Sequence, residues 1–203
     1  MAMMTLYGHC GACSQTIHIL LHEVEEAFAF ERVDLRTRLL ADGSLFGAVS
    51  ERGQVPALVL DDGTLLTELA AIAQFVVDRH PERGLLPPPG SLARYQALSW
   101  LSYIGTELHK GISPIMRPDT PDAYRAVART ALEAKLAWLD QQVRGRTFLA
   151  ADCFTPADAY LFVILGWLPL IGIDTATYPH LMAFRASIAT RPSVRAALAA
   201  EGF

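Results

Sequence analysis

The sequence predicts an α/β first domain followed by an all-α second domain, on three observations. Two short β-like runs flank a helical period near the start. The turn signature Asp61-Asp62-Gly63 separates two further β-like runs, and only helical periods follow a dense cluster of prolines and glycines. A length of 203 residues admits one large unit or two small ones sharing an interface.

Taken in order, residues 5–7 form a short strand closed by Gly8 and Gly11, and Ile17, Leu20, Leu21 and Val24 then repeat at helical spacing. Residues 28–33 alternate as a second strand. This is the β-α-β unit, in which a crossover helix joins two parallel strands. After a less regular stretch, residues 57–60 and 64–66 flank the Asp-Asp-Gly turn, where glycine supplies the positive φ that a tight hairpin needs. A helix over 68–78 completes the domain. Pro81, Gly84 and Pro87-Pro88-Pro89-Gly90 interrupt both kinds of backbone hydrogen bonding and mark the boundary. The expected division is a first domain over 1–80, a linker over 81–91 and a helical domain over 92–203. Helices are expected over 92–110, 123–143, 156–168, 179–190 and 192–200. The third of these has a well-specified start: Thr155 can cap, Pro156 suits the first helical position, and Asp158 sits where a capping-box carboxylate reaches back. Thr155 and Asp158 are therefore structural residues.

Composition narrows the function. Seventeen Lys plus Arg against 21 Asp plus Glu give a formal charge of -4, with no run of like charges, which argues against nucleic acid and anionic membrane surfaces as partners. The longest uncharged stretch, 159–173, is too short to span a bilayer and is interrupted by Pro169. The start of the chain lacks the features of a secretion signal, and a cytoplasmic protein is expected. An apolar fraction of 52% against 19% charged points to oligomerisation.

Chemistry concentrates at Cys10-Gly11-Ala12-Cys13, a Cys-x-x-Cys at the junction of first strand and first helix. Open α/β sheets bind ligands at such junctions, and the N–H groups and dipole of a helix start stabilise a thiolate. Zinc on Cys10, Cys13, His18 and His22 is not expected. At about 100° per residue the two histidines lie roughly 140 to 180° around the helix from Cys13, so no metal site forms. His9 either tunes Cys10 or is a solvated loop residue. Val55-Pro56 ahead of the third strand is either a strand-entry proline or a cis peptide that leaves the Val55 backbone free for a peptide-like ligand. In the helix after the linker, Ser102, Thr106, His109 and Ser113 project within roughly 60° of one another, while Ala97, Leu101, Ile104 and Leu108 form a separate apolar stripe. A polar stripe of small hydroxyls and one histidine, flanked by Glu107 and Lys110, is either solvated or the wall of a semi-enclosed cleft.

Ordered along the whole chain, Leu6-Tyr7, Gly11-Ala12-Cys13-Ser14, Gly53-Gln54-Val55-Pro56-Ala57-Leu58, Asp62-Gly63, Leu66-Thr67-Glu68, Glu107-Leu108-His109-Lys110-Gly111, Phe154-Thr155-x-Ala157-Asp158-Ala159-Tyr160 and Arg191-Pro192-x-Val194 resemble the cytosolic glutathione transferases, most closely the bacterial beta class. The resemblance implies a thioredoxin-like first domain that binds glutathione as co-substrate. Cys13 matches the cysteine that contacts the glutathione sulfur and can form a mixed disulfide with it. Val55, before a cis Pro56, would pair its backbone with the cysteinyl part. Glu68 and the N–H of Leu69 would hold the γ-glutamyl end, Arg38 and Arg52 would meet the glycyl carboxylate, and His109, with Ser102 and Thr106 on its stripe, would approach from the helical domain. The family's members typically pair as homodimers. The resembled class usually has proline where this chain has Cys10, which restores a glutaredoxin-like pair of thiols.

The expected activity is conjugation of glutathione to small hydrophobic electrophiles, with thiol-disulfide exchange through Cys10 and Cys13 as a companion activity. A glutaredoxin-like oxidoreductase and a non-catalytic binding protein on the same scaffold are the alternatives. Tyr103, Ile112, Met116 and Trp167 are candidate lining for the electrophile, or core.

Overall fold

The computed structural model describes residues 3–150 and 152–203. Met1 and Ala2, which head the segment read as lacking a secretion signal, lie outside the described residues. The chain forms two compact units, Met1–Gly84 together with Arg191–Phe203, and Leu85–Thr190.

In the first unit, β1 (Met4–Gly8), α1 (Gln15–Glu23) and β2 (Phe28–Arg32) make the expected β-α-β, with β1 and β2 parallel and Leu6 opposite Phe30. β3 (Ala57–Val59) and β4 (Leu65–Thr67) follow as an antiparallel hairpin, so the sheet runs β2-β1-β3-β4. The hairpin turn carries Gly63 at φ 84°, and Asp62 Oδ1 accepts from Thr64 N at 2.8 Å. That Asx turn is what the Asp-Gly signature encodes. Strand alternation buries Met4, Leu6 and Gly8 on one face of β1. Ile17, Leu20 and Leu21 of α1, with Ile72, Ala73 and Val76 of α2 (Leu69–Asp78), supply a further set of buried apolar side chains. Val33, Phe46 and Ala57 form a second cluster, covered by the irregular link after β2. The helix expected over 68–78 starts one residue later, because Glu68 adopts φ 69° and caps α2 from outside the helical region.

The second unit contains α3 (Leu92–Tyr103), a π-helical segment (Ile104–His109), α4 (Lys110–Met116), α5 (Asp122–Gln142), α6 (Pro156–Gly166) and α7 (Pro179–Ala189). The single helix expected over 92–110 is thus corrected. The helical path continues to Met116 through a wider turn, and Ala97, Leu101, Ile104 and Leu108 stay buried as the stripe required. Every residue from Pro156 to Leu165 is buried, so α6 is the apolar-all-round central helix of the unit. Its capping box is present: Asp158 Oδ2 accepts from Thr155 N at 2.7 Å and from Thr155 Oγ1 at 2.6 Å, and Oδ1 accepts from Leu149 N at 2.7 Å. Desolvation pushes the Asp158 carboxyl up to about 6.

The helical domain expected to run on to residue 203 is also corrected. α8 (Pro192–Glu201) packs on α1 and belongs to the first unit. Arg191 pairs with Glu23, whose carboxylate also accepts from Ser193 Oγ, while Val194, Ala197 and Glu201 are buried. Helical spacing identifies a helix but not the surface on which it docks. Among the described residues, no helix is long and apolar enough to cross a membrane.

Candidate functional site: the Cys13 turn and the start of α2

The chain leaves β1 through a turn that holds both cysteines and enters α1 at Ser14. Ser14 Oγ accepts from His9 N at 3.0 Å and donates to His9 O at 3.2 Å, closing the turn locally. The second anchor is distant in sequence. Glu201, with a fully buried side chain, accepts from Gly11 N at 2.7 Å, from Gln15 Nε2 at 2.8 Å and from His18 Nδ1 at 2.8 Å. One carboxylate from α8 thereby fixes the backbone between the two cysteines and the first turns of α1. His18 is spent on Glu201 and stacks on His22 and Phe30 at ring separations of 5.1 and 4.6 Å. Among the described residues, no group of His, Cys, Asp and Glu is arranged to hold a metal ion. His9 is not a solvated loop residue: it is half-buried, and its Nδ1–H donates to Val33 O at 2.8 Å.

The three cysteines are thiols rather than disulfides. Cys13 is buried and its Sγ–H donates to Val55 O at 3.3 Å, whereas Cys10 is partly exposed. The Val55–Pro56 peptide is cis and directly precedes β3. Among the described residues, the Val55 N–H has no hydrogen-bond acceptor. From Val55 the sheet carries the site onward, because Ala57 pairs with Thr67, whose neighbour Glu68 begins α2. As the first residue of α2, Leu69 has an N–H that the helix itself leaves unsatisfied. Glu68 Oε1 pairs with Arg52 Nη1 at 2.7 Å, both side chains exposed, and the Arg38 guanidinium donates to Gly53 O. The structure therefore connects Cys13, Val55, Glu68, Leu69, Arg52 and Arg38 through contacts within one unit.

His109, Ser102 and Thr106 lie in the helical unit, and the expected stripe divides there. Ser102 and Thr106 are exposed, Thr106 Oγ1 donates to Ser102 O at 3.1 Å, and Ser113 Oγ donates to His109 O at 3.1 Å. His109 instead turns toward α6, where its Nδ1 lies 2.5 Å from Tyr160 Oη and its ring packs edge-on to Trp167 at 5.0 Å. Burial, reinforced by the adjacent Lys110 charge, lowers His109 to about 4, so the ring is neutral at pH 7. Of the candidate electrophile lining, Ile112 is core, Trp167 is buried beside His109, Met116 is exposed, and Tyr103 joins an aromatic cluster with Trp100 and Trp138. Glu201 and Tyr160 are not among the residues that the sequence marks for the site. The available signal for Glu201 is an acidic residue at helical spacing from Val194 and Ala197, on the buried face of α8.

A mixed four-stranded sheet with a thiol at the head of its first helix and a cis-proline before its third strand is the thioredoxin-like arrangement, here joined to a helical unit. Comparison with known proteins agrees with that class. A family model for the N-terminal domain of glutathione S-transferases matches residues 11–79, and one for the C-terminal domain matches residues 103–192. The chain is 45% identical over 199 residues to glutathione S-transferase GstA of Escherichia coli O157:H7, covering 98% of this chain and 99% of that one. The solved sphingomonad glutathione S-transferase complexed with glutathione superposes with a TM-score of 0.94 at 45% identity, covering 98% of this chain and 99% of that one. The beta-class enzyme of Sphingomonas chungbukensis does so with a TM-score of 0.94 at 43% identity, covering 98% of each chain. The chain belongs to the glutathione S-transferase family and is structurally close to its bacterial beta class.

One substitution tests the acidic end of the site. Glu68→Gln is expected to weaken glutathione binding by roughly fivefold, the scale of an exposed ion pair, with the melting temperature unchanged. Calorimetry giving the wild-type affinity would remove Glu68 from the site.

Proposed function

We propose that the protein conjugates glutathione to small hydrophobic electrophiles and binds the tripeptide along the line from Cys13 to α2. The observation that carries this reading is the contact of the Cys13 thiol with Val55 O, beside a cis-proline, in the same unit as the exposed Glu68 and the open N–H of Leu69. Val55 N–H is the donor offered to the cysteinyl carbonyl of glutathione. Glu68 keeps one carboxylate oxygen for the γ-glutamyl ammonium while the other holds Arg52. Arg38 and Arg52 retain further N–H donors for the glycyl carboxylate. Ser102 and Thr106 are exposed on the same helical path as His109, and the Thr106 hydroxyl, which donates to Ser102 O, keeps its acceptor capacity. His109 is assigned a part in the reaction as a neutral ring, which its burial favours at pH 7.

In the conjugation step the glutathione thiolate attacks the electrophilic carbon. A C–S bond forms, the leaving group departs with its electron pair, and the thiol proton has already passed to solvent. The protein's part is to favour the thiolate by hydrogen bonds and the helix dipole. Thiol-disulfide exchange is the second reading, favoured by one observation: Cys10 and Cys13 share one turn, and Cys10 is the more exposed. The two are separated by comparing conjugation of 1-chloro-2,4-dinitrobenzene with reduction of a glutathione mixed disulfide, in wild type, Cys10→Ser and Cys13→Ser. Conjugation that survives Cys10→Ser supports the transferase. Reduction without measurable conjugation overturns it in favour of the oxidoreductase.

We also propose that the protein works as a homodimer in the cytoplasm. The helical unit exposes Leu92 and Tyr95 of α3 and Val127 and Trp138 of α5. A hollow of about 370 Å³ lined by Tyr103, Ala131, Ala134, Lys135 and Trp138 adds to this apolar surface. Sedimentation at micromolar concentration is expected to give twice the protomer mass of 22.2 kDa, and a value equal to that mass would rule the dimer out.

A further inference from the structure

The cluster around His109 has a construction that the transferase reading does not use. The π-helical segment Ile104–His109 ends on the histidine, and π turns inside α-helices recur at functional positions. Tyr160 of α6 is buried beneath that segment. Its ring packs against Gly105, where an added Cβ would lie 3.7 Å from Tyr160 Cε1, and stands edge-on to the His109 ring at 5.9 Å. Tyr160 Oη lies 2.5 Å from His109 Nδ1, and Trp167 closes another side of the ring. Among the described residues, His109 Nε2 has no hydrogen-bond partner. One ring nitrogen is held and the other is left open.

The hydrogen bond at one imidazole nitrogen decides which nitrogen carries the proton. A phenol is a better donor than acceptor, while the bare nitrogen of a neutral imidazole is a good acceptor. We propose that Tyr160 is a positioning residue: its O–H donates to Nδ1 of His109 and holds the ring as the Nε2–H tautomer, so that the open nitrogen presents a hydrogen-bond donor rather than a base. A donor in that position stabilises a thiolate without accepting its proton. The low proton affinity of the ring keeps it from becoming an imidazolium at neutral pH. This inference rests on the reading above that His109 takes part in the reaction, and it specifies what the histidine contributes.

The test uses wild type, Tyr160→Phe and His109→Ala, with histidine ring nitrogens labelled with ¹⁵N and read by long-range correlation at pH 7. The His109 signals are identified by their loss in His109→Ala. Wild type is expected to show a protonated Nε2 and a bare Nδ1. Tyr160→Phe is expected to mix the tautomers and to lower kcat for conjugation about fivefold to tenfold, the scale of one lost oriented hydrogen bond, with the glutathione KM within twofold. A bare Nε2 in wild type overturns the proposal without any variant. So does a Tyr160→Phe protein whose tautomer and kcat match wild type while His109→Ala is slow. If the tautomer shifts but neither variant changes kcat, it is the participation of His109 that fails, and the positioning role proposed for Tyr160 in the reaction fails with it.

Discussion

Glu201→Ala is expected to cost about 3–5 kcal/mol of stability, lowering the melting temperature by roughly 10 °C in a chain of this length. The reason is the number of donors that one carboxylate satisfies where water cannot replace it. Gly11 N, Gln15 Nε2 and His18 Nδ1 all lose their acceptor, and the Glu201 side chain is fully buried. Breaking a buried charged network from one side leaves the partners unsatisfied, which is why the loss exceeds the net worth of the contacts. The effect reaches function because Gly11 lies between Cys10 and Cys13. The variant is expected to form a glutathione mixed disulfide more slowly than wild type even well below its melting temperature. Glu201→Gln keeps an oxygen for Gly11 N and is expected to lose roughly half as much stability. A melting temperature for Glu201→Ala within about 2 °C of wild type would show that α8 does not anchor the turn.

Asp158→Ala is expected to be as damaging to the second unit. It leaves the N–H groups of Leu149 and Thr155 buried without acceptors and removes the partner of Thr155 Oγ1, a loss of about 3–5 kcal/mol. Differential scanning calorimetry of the variant checks the size. The pH dependence checks the cause. Burial raises the folded carboxyl from 3.8 to about 6, so the folded state holds the proton more tightly than the unfolded chain. The stability contributed by that proton is fully present below about pH 4 and is lost as pH rises through 6. The advantage of wild type over Asp158→Asn, which cannot ionise, is therefore expected to shrink between those pH values. An advantage that grows over that interval would mean the carboxylate, not the acid, is the form the site prefers.

These two acids show what is legible in the sequence and what is not. Asp158 acts three residues from Thr155, and local spacing reveals local hydrogen bonds, so the sequence alone discloses its role. The Asp61-Asp62-Gly63 hairpin and the β-α-β start are legible for the same reason: turn chemistry and hydrophobic period act within a few residues. Glu201 acts on Gly11 and His18, more than 180 residues away, and periodicity carries no information about which surface a helix covers. The π segment is hidden because it buries Ile104 and Leu108 just as an α-helix would. Among the candidate site residues, Cys13 stands out by its place at a strand-to-helix junction, whereas Val55, Glu68 and Leu69 are marked by the family pattern alone, and the cis geometry at Pro56 is legible only in the structure. Tyr160 enters the sequence pattern only as the last residue of a capping motif. Its hydroxyl meets His109 through the packing of α6 under the π segment, and no spacing rule expresses that contact.

The roles proposed for the site all depend on glutathione sulfur being brought to Cys13. Treatment with oxidised glutathione followed by intact-protein and peptide mass spectrometry tests that dependence. The exchange is balanced: the protein thiolate attacks one sulfur of the disulfide, a new S–S bond forms, the old one breaks, and one reduced glutathione leaves. Wild type and Cys10→Ser are expected to carry a single glutathione adduct on Cys13, and Cys13→Ser to carry none. An adduct confined to Cys10, persisting in Cys13→Ser, would contradict this assignment and make Cys10 the attacking thiol of a disulfide oxidoreductase.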